Sequence, residues 1–179
     1  KRRTVQALDY PLALIAGVLL ALAFPKFGHP AFAWIALVPL LVALTGWRGH
    51  PGPLPGQPAL RAFTLGLLTA TVYFVGTIYW TGTVIIAFGD VNPIVAMIGM
   101  MLLSAYLALY PALASLVTSQ LIACTGAAGL FIAPMAWVAT EYLPGYFLTG
   151  FPWVPLGNSQ VTVLPVAQLA SVLGVYGLS

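Results

Sequence analysis

The sequence predicts an all-α, polytopic membrane helix bundle, on three observations: scarce charge, long apolar runs, and Pro/Gly-rich breaks between them. Charged residues make up 5% of the 179-residue chain and apolar residues 61%. A soluble domain carries about 25% and about 45–50% of these classes. Six basic and three acidic side chains cannot cover the surface of a chain this long. Mean hydropathy is accordingly high, at +1.01. Bare backbone polar groups cannot face lipid, so the apolar runs must be helices.

A span needs about 20 apolar residues, at about 1.5 Å each across roughly 30 Å of hydrocarbon. By that measure six transmembrane or membrane-embedded segments are expected. The first, Leu12–Phe24, is only thirteen residues long. It either extends back towards Val5 or pairs with the second segment, Ala31–Trp47, as a short, shallow hairpin. In both cases the chain returns to its starting side. The third segment is Phe63–Phe88, the fourth Ile94–Ala123, the fifth Gly126–Phe147 and the sixth Thr162–Ser179. The breaks "FPKFGHP", "GWRGHPGPLPGQP", "FGDVNP" and "CTGAAG" carry the turn-forming residues that end each helix. The stretch from His50 to Pro58 holds Pro51, Pro53, Pro55 and Pro58, which makes it a stiff connector. No internal repeat or inverted pair of broken helices is evident. One transmembrane domain over residues 1–179 is expected, as a fragment: the chain has no initiating Met, and the last segment stops at "GVYGLS" with no closing charge or polar flank.

The net charge of +3 is local. Lys1, Arg2, Arg3, Arg48 and Arg61 fall on one side of the expected topology and Lys26 on the other. The positive-inside rule therefore places the N-terminus in the cytoplasm. The loops at Gly89–Pro93 and Leu148–Val161 then face outward, and Cys124 faces inward. No basic face with interleaved aromatics exists, so nucleic acid is excluded as a partner. Cys124 is the one cysteine, and His29 and His50 lie in different loops, so neither a disulfide framework nor a metal site is expected.

Glu141 is the one carboxylate within the six apolar segments. A charge at that depth costs from about 2.5 kcal/mol upward, which makes it a functional candidate. Two roles stay open: direct substrate handling, or a structural carboxylate bonded to a Trp, a Tyr or a backbone N–H. It does not pair with Cys124 as base and nucleophile. Seventeen residues of helix separate them by about 25 Å, against the about 3 Å such a pair needs. Aromatic residues gather at the outer level: Tyr79, Trp80 and Phe88, then Tyr142, Tyr146, Phe147, Phe151 and Trp153. Interfacial belts account for most of these. They do not account for Phe151-Pro152-Trp153, where Pro152 pushes Phe151 out of the helical region and Pro155 stops a restart. The Trp is thus offered from an extended loop, as the floor or rim of a pocket. Thr162, or the trio Asn158-Ser159-Gln160, is expected to cap the sixth helix, with Pro165 in its first turn.

The run "APMAWVATEYLPGYFLTGFPWVPLGNSQ", Ala133 to Gln160, resembles the membrane region of bacterial apolipoprotein N-acyltransferases. There A-P-x-x-W-x-x-x-E, then T-G-F-P-W, then a Ser-Gln pair form a family signature. Supporting matches are "AFPKFG", "IYW" at Ile78–Trp80, "SAYLALY" at Ser104–Tyr110 and the ending "GVYGLS". Pro144 departs from the pattern, which usually has Arg there.

The resemblance implies a multi-pass enzyme of the bacterial inner membrane, a monomer without cofactor. Such enzymes move an acyl chain from a phospholipid onto a cysteine and then onto the α-amino group of a diacylglyceryl apolipoprotein. Their Glu-Lys-Cys set lies in a nitrilase-like periplasmic domain, so no catalytic residue is expected within these 179 residues and the fragment alone should be inactive. Phe151, Pro152 and Trp153 would then form part of the rim by which lipid reaches that domain, with Tyr79, Trp80 and Glu141 near it. The alternative is a small transporter or channel subunit, which should show polar groups near the middle of several helices.

Overall fold

The computed structural model describes residues 2–24, 28–45, 59–147, 150 and 152–179, with side chains from Leu8 onward. Lys1, Lys26, Arg48, the connector from His50 to Pro58 and Phe151 lie outside the described residues, as do the side chains of Arg2 and Arg3. Among the described residues every regular element is helical.

Helix α1, Arg2–Leu22, is longer than the apolar run and takes the first of the two readings, extending back past Val5. The run looked short because Asp9 and Pro11 interrupt its hydropathy. The structure keeps Asp9 buried by pairing its carboxylate with Arg61 at the start of α4. The second segment divides into α2, Ala31–Ala36, and α3, Val38–Thr45, with the break at Leu37. Pro39 explains it, since proline has no N–H and its ring collides with the carbonyl four residues back.

The third segment also divides. Helix α4, Ala59–Ile78, ends one residue before α5, Trp80–Gly89. Around this break Thr77 Oγ1 donates to Tyr73 O and Thr81 Oγ1 donates to Ile78 O. Such hydroxyl bonds to helix carbonyls compete with the ladder and bend it. Helix α6, Pro93–Thr125, starts at an Asn92 cap that accepts from Ile94 N, at 2.8 Å. Its 33 residues run about 50 Å. Helix α7, Ala128–Tyr142, returns alongside it and closes in a 3-10 turn, Leu143–Gly145.

The sixth segment corrects the expectation most. Thr162–Ser179 is not one helix but short pieces: α8, Leu164–Ala167, α9, Ala170–Leu173, and a 3-10 turn, Val175–Gly177. Gly174 at φ +69 ends α9, and the Gln168-Leu169 turn separates it from α8. Thr162 caps nothing: the residue before α8 is Val163, with no side-chain cap. Asn158-Ser159-Gln160 belong to a further 3-10 turn, Leu156–Gln160, in which Ser159 and Gln160 are buried.

The core sits around α4, which packs on α6 and α1. Two glycines make the crossings close. A Cβ on Gly66 would meet Ser115 Oγ at 2.3 Å and Ala112 Cα at 2.9 Å, and one on Gly17 would meet Thr69 O at 2.5 Å. Small residues at helix crossings let the backbones approach, which gains dispersion contacts. Thr69 Oγ1 uses that proximity to donate across to Ala13 O, at 2.9 Å. Near Arg61 the core is Ala13, Ala16, Leu40, Leu44 and Leu65. Towards the opposite end it is Leu20, Tyr73, Phe74, Ile78, Leu107, Trp137 and Leu156. Among the described residues, helices α4 and α6 are long and apolar enough to cross a membrane, while the apolar stretch of α1, Leu8–Leu22, and that of α5 are shorter.

Candidate functional site: a tethered tryptophan loop

Three helices converge on the irregular stretch from Pro152 to Gln160. Trp80 opens α5, just after the break at Tyr79. Its indole stacks on that of Trp153, with ring centroids 5.2 Å apart and planes inclined by 12°. A stacked aromatic pair contributes about 0.5–1.5 kcal/mol beyond its area. Trp153 is half-buried and packs against the core cluster, so the loop lies on the bundle instead of standing off it. Pro152 before it is exposed and Pro155 after it is buried.

Val154 carries the backbone anomaly of the site, at φ +54. A β-branched residue rarely adopts the left-handed region, and holding it there costs on the order of 1–3 kcal/mol. Tyr73 Oη donates to the Val154 carbonyl at 2.6 Å, reaching out of the middle of α4. Two residues on, Leu156 N donates to Glu141 Oε1, also at 2.6 Å. The same oxygen accepts from Trp137 Nε1, at 3.3 Å, one helical turn earlier on α7. Residues four apart share a helix face, so Trp137 and Glu141 present one surface to the loop.

The far side of the loop is fastened by its polar residues. Gly157 N donates to Ser179 Oγ at 2.8 Å. Gln160 Nε2 donates to Pro30 O and to Ser159 Oγ, each at 3.0 Å. Among the described residues Glu141 Oε2 is buried without a partner at hydrogen-bonding distance, although the Ser179 hydroxyl lies near the carboxylate. Beneath the loop a cavity of about 340 Å³ opens between α3, α6 and α7. Leu41, Leu44, Ala133 and Trp137 line it with apolar groups, and Ser115, Thr118, Ser159, Gln160 and Ser179 with polar ones.

Trp80 on α5 and Glu141 on α7 thus both meet the loop that carries Trp153. Tyr79 lines a different space, a groove of about 600 Å³ shared with Val18, Leu22 and Val72 between α1 and α4. Sequence reasoning missed Tyr73, and it read Gln160 as a helix-cap candidate when its side chain instead reaches Pro30 O. A tyrosine in the middle of an apolar helix is a usable signal, because its buried hydroxyl needs a partner. Tyr142 and Tyr146 join their hydroxyls at the end of α7, and Tyr176 meets Tyr142 edge-on at 5.1 Å. Cys124 is exposed at the end of α6, and Glu141 lies thirteen residues along α7 from Ala128, about 20 Å by helical rise.

A family model described as the apolipoprotein N-acyltransferase N-terminal domain matches residues 16–179. Among curated relatives, an apolipoprotein N-acyltransferase of Geobacter metallireducens is 39% identical over 171 residues, which is 96% of this chain and 31% of the relative. The protein of that name from Nitrosomonas europaea is 35% identical, over 93% of this chain and 32% of its own. That from Pasteurella multocida is 33% identical, over 100% and 32%. The chain thus spans about a third of the length of the curated relatives it matches.

Proposed function

The chain belongs to the apolipoprotein N-acyltransferase family, and on that premise we propose that it is the membrane domain of such an enzyme, supplying the membrane anchor and the path by which lipid approaches. Several helices turn large apolar side chains outward, among them Phe88, Ile94, Leu102, Phe131 and Val172. So many exposed large apolar side chains suit hydrocarbon and not water. In this reading the N-terminus lies in the cytoplasm of a bacterial cell and the Trp153 loop at the outer side of the inner membrane.

The full enzyme would move an acyl chain from a membrane phospholipid to the α-amino group of a diacylglyceryl-cysteine on an apolipoprotein. The catalytic Glu-Lys-Cys set would stand in a nitrilase-like domain, and this region would be inactive alone. No residue of this chain then performs the chemistry. Pro152 and Trp153 form the rim, Trp80 backs the indole, and Glu141 orients the loop by accepting from Leu156 N.

The observation that supports this reading is the stack of Trp153 on Trp80, at the start of a loop whose later residues Leu156, Ser159 and Gln160 line a largely apolar cavity. An extended, tethered aromatic beside such a cavity can guide a lipid chain while excluding water. Trp153→Ala in a full-length family member carrying these 179 residues tests it. Acyl transfer should fall by about two- to tenfold, the scale of losing one good aromatic contact in the transition state. The amount of enzyme in the membrane should not change. If the substitution lowered the amount of folded protein in proportion to activity, the loop would be structural and the rim reading would go.

A further inference from the structure

We infer that Tyr73 is a positioning residue: with Glu141 it latches the loop so that Val154 stays left-handed and Trp153 lies flat on Trp80. The inference rests on the reading of Trp153 as part of the rim, because the latch matters to acyl transfer only if the indole does.

Among the described residues, no neighbouring side chain selects the conformation of Val154. A β-branched residue avoids φ +54, and Pro155 behind it has no N–H to offer. The geometry is imposed from outside, by one tether on each side of Pro155. Tyr73 Oη takes the Val154 carbonyl and Glu141 Oε1 takes the Leu156 N–H, each at 2.6 Å. Tyr73 is well suited to impose it. The residue is 1% exposed, and its ring is held between Phe24 and Phe74, at centroid distances of 5.7 and 4.7 Å. Its hydroxyl therefore has one direction to point. Trp153 immediately precedes Val154, so the angle at Val154 sets how the chain enters from the Trp153 side and where the indole plane comes to rest. The near-parallel 12° stack on Trp80 is the product.

The test uses Tyr73→Phe in a full-length family member labelled with 5-fluorotryptophan. The fluorine resonance of Trp153 is identified by its absence from Trp153→Phe. Stacking on a second indole shifts that resonance by ring current. In Tyr73→Phe it should move to the position it takes in Trp80→Leu, and acyl transfer should fall on the order of tenfold. Adding Val154→Gly should restore both, because glycine holds φ +54 without a tether. A Trp153 resonance unmoved in Tyr73→Phe overturns the latch. A resonance that moves while transfer is unchanged upholds the latch and overturns the rim reading on which its importance rests. If Tyr73→Phe alone does not accumulate, the double variant decides. Accumulation with a stacked Trp153 supports the latch, and failure to accumulate assigns Tyr73 to helix packing and overturns it.

Discussion

Glu141 is the residue at which structure and chemistry can be separated by one atom. Its Oε1 accepts from Leu156 N and Trp137 Nε1, and neither bond requires ionisation. Glutamine retains a carbonyl oxygen in the same place. Glu141→Gln should therefore keep acyl transfer within a few-fold in the full-length enzyme. Glu141→Ala strands a buried N–H, which costs about 1–3 kcal/mol, and should lower the melting temperature in detergent as well as transfer. A Glu141→Gln protein that folds normally but transfers nothing would show that the carboxylate handles protons or charge. Sequence alone left these two roles open for a physical reason. An ionisable residue in an apolar run reveals that it needs partners, but not whether they are substrate or backbone. Trp153 was legible because two prolines forced its surroundings out of helix. Val154 was illegible because its side chain argues against the conformation it adopts. Tyr73 lay 81 positions from its acceptor, with nothing in either neighbourhood to connect them.

At the level of the helices, apolar length located the elements and Pro/Gly clusters located most of their ends. What length cannot show is a break inside an apolar run. The divisions at Leu37 and Tyr79 leave hydropathy untouched, so each pair read as one segment. The sixth segment misled for the same reason: apolar composition suits a helix, but Gly174 and the Gln168-Leu169 turn cut it into single turns. The crossing of α4 with α6 is a firmer expectation. Gly66→Ala would push a methyl group within 2.3 Å of Ser115 Oγ and 2.9 Å of the Ala112 backbone. The helices must separate to accept it, at about 1–3 kcal/mol for overpacking. Thermal unfolding in detergent should record the loss, and should still show most of it when Gly66→Ala is combined with Ser115→Ala, because Ser115 Cβ at 2.5 Å and Ala112 Cα at 2.9 Å both remain. An unchanged melting temperature would mean that the crossing is not as close as described.

For the molecule as a whole, the proposed topology puts Cys124 and the Trp153 loop on opposite faces of the membrane. Cys124 is exposed, so accessibility from one side is the only barrier to its modification. In a full-length protein with every other cysteine replaced, a membrane-impermeant maleimide should label Cys124 only after the inner membrane is opened. Labelling in intact spheroplasts would invert the bundle and remove the loop from the outer surface. The same two-sided layout has a kinetic side. Gln160 reaches Pro30 across 130 residues of sequence, and Tyr73 reaches Val154 across 81. Contacts between such distant positions close late, because the chain between them must first be ordered. Synthesis adds its own delay, since Pro30 and Tyr73 are made long before their partners. The helices α1 to α7 should therefore be in place before the loop closes on them, and a nascent chain arrested short of Gln160 would hold a bundle of helices with its outer mouth still open.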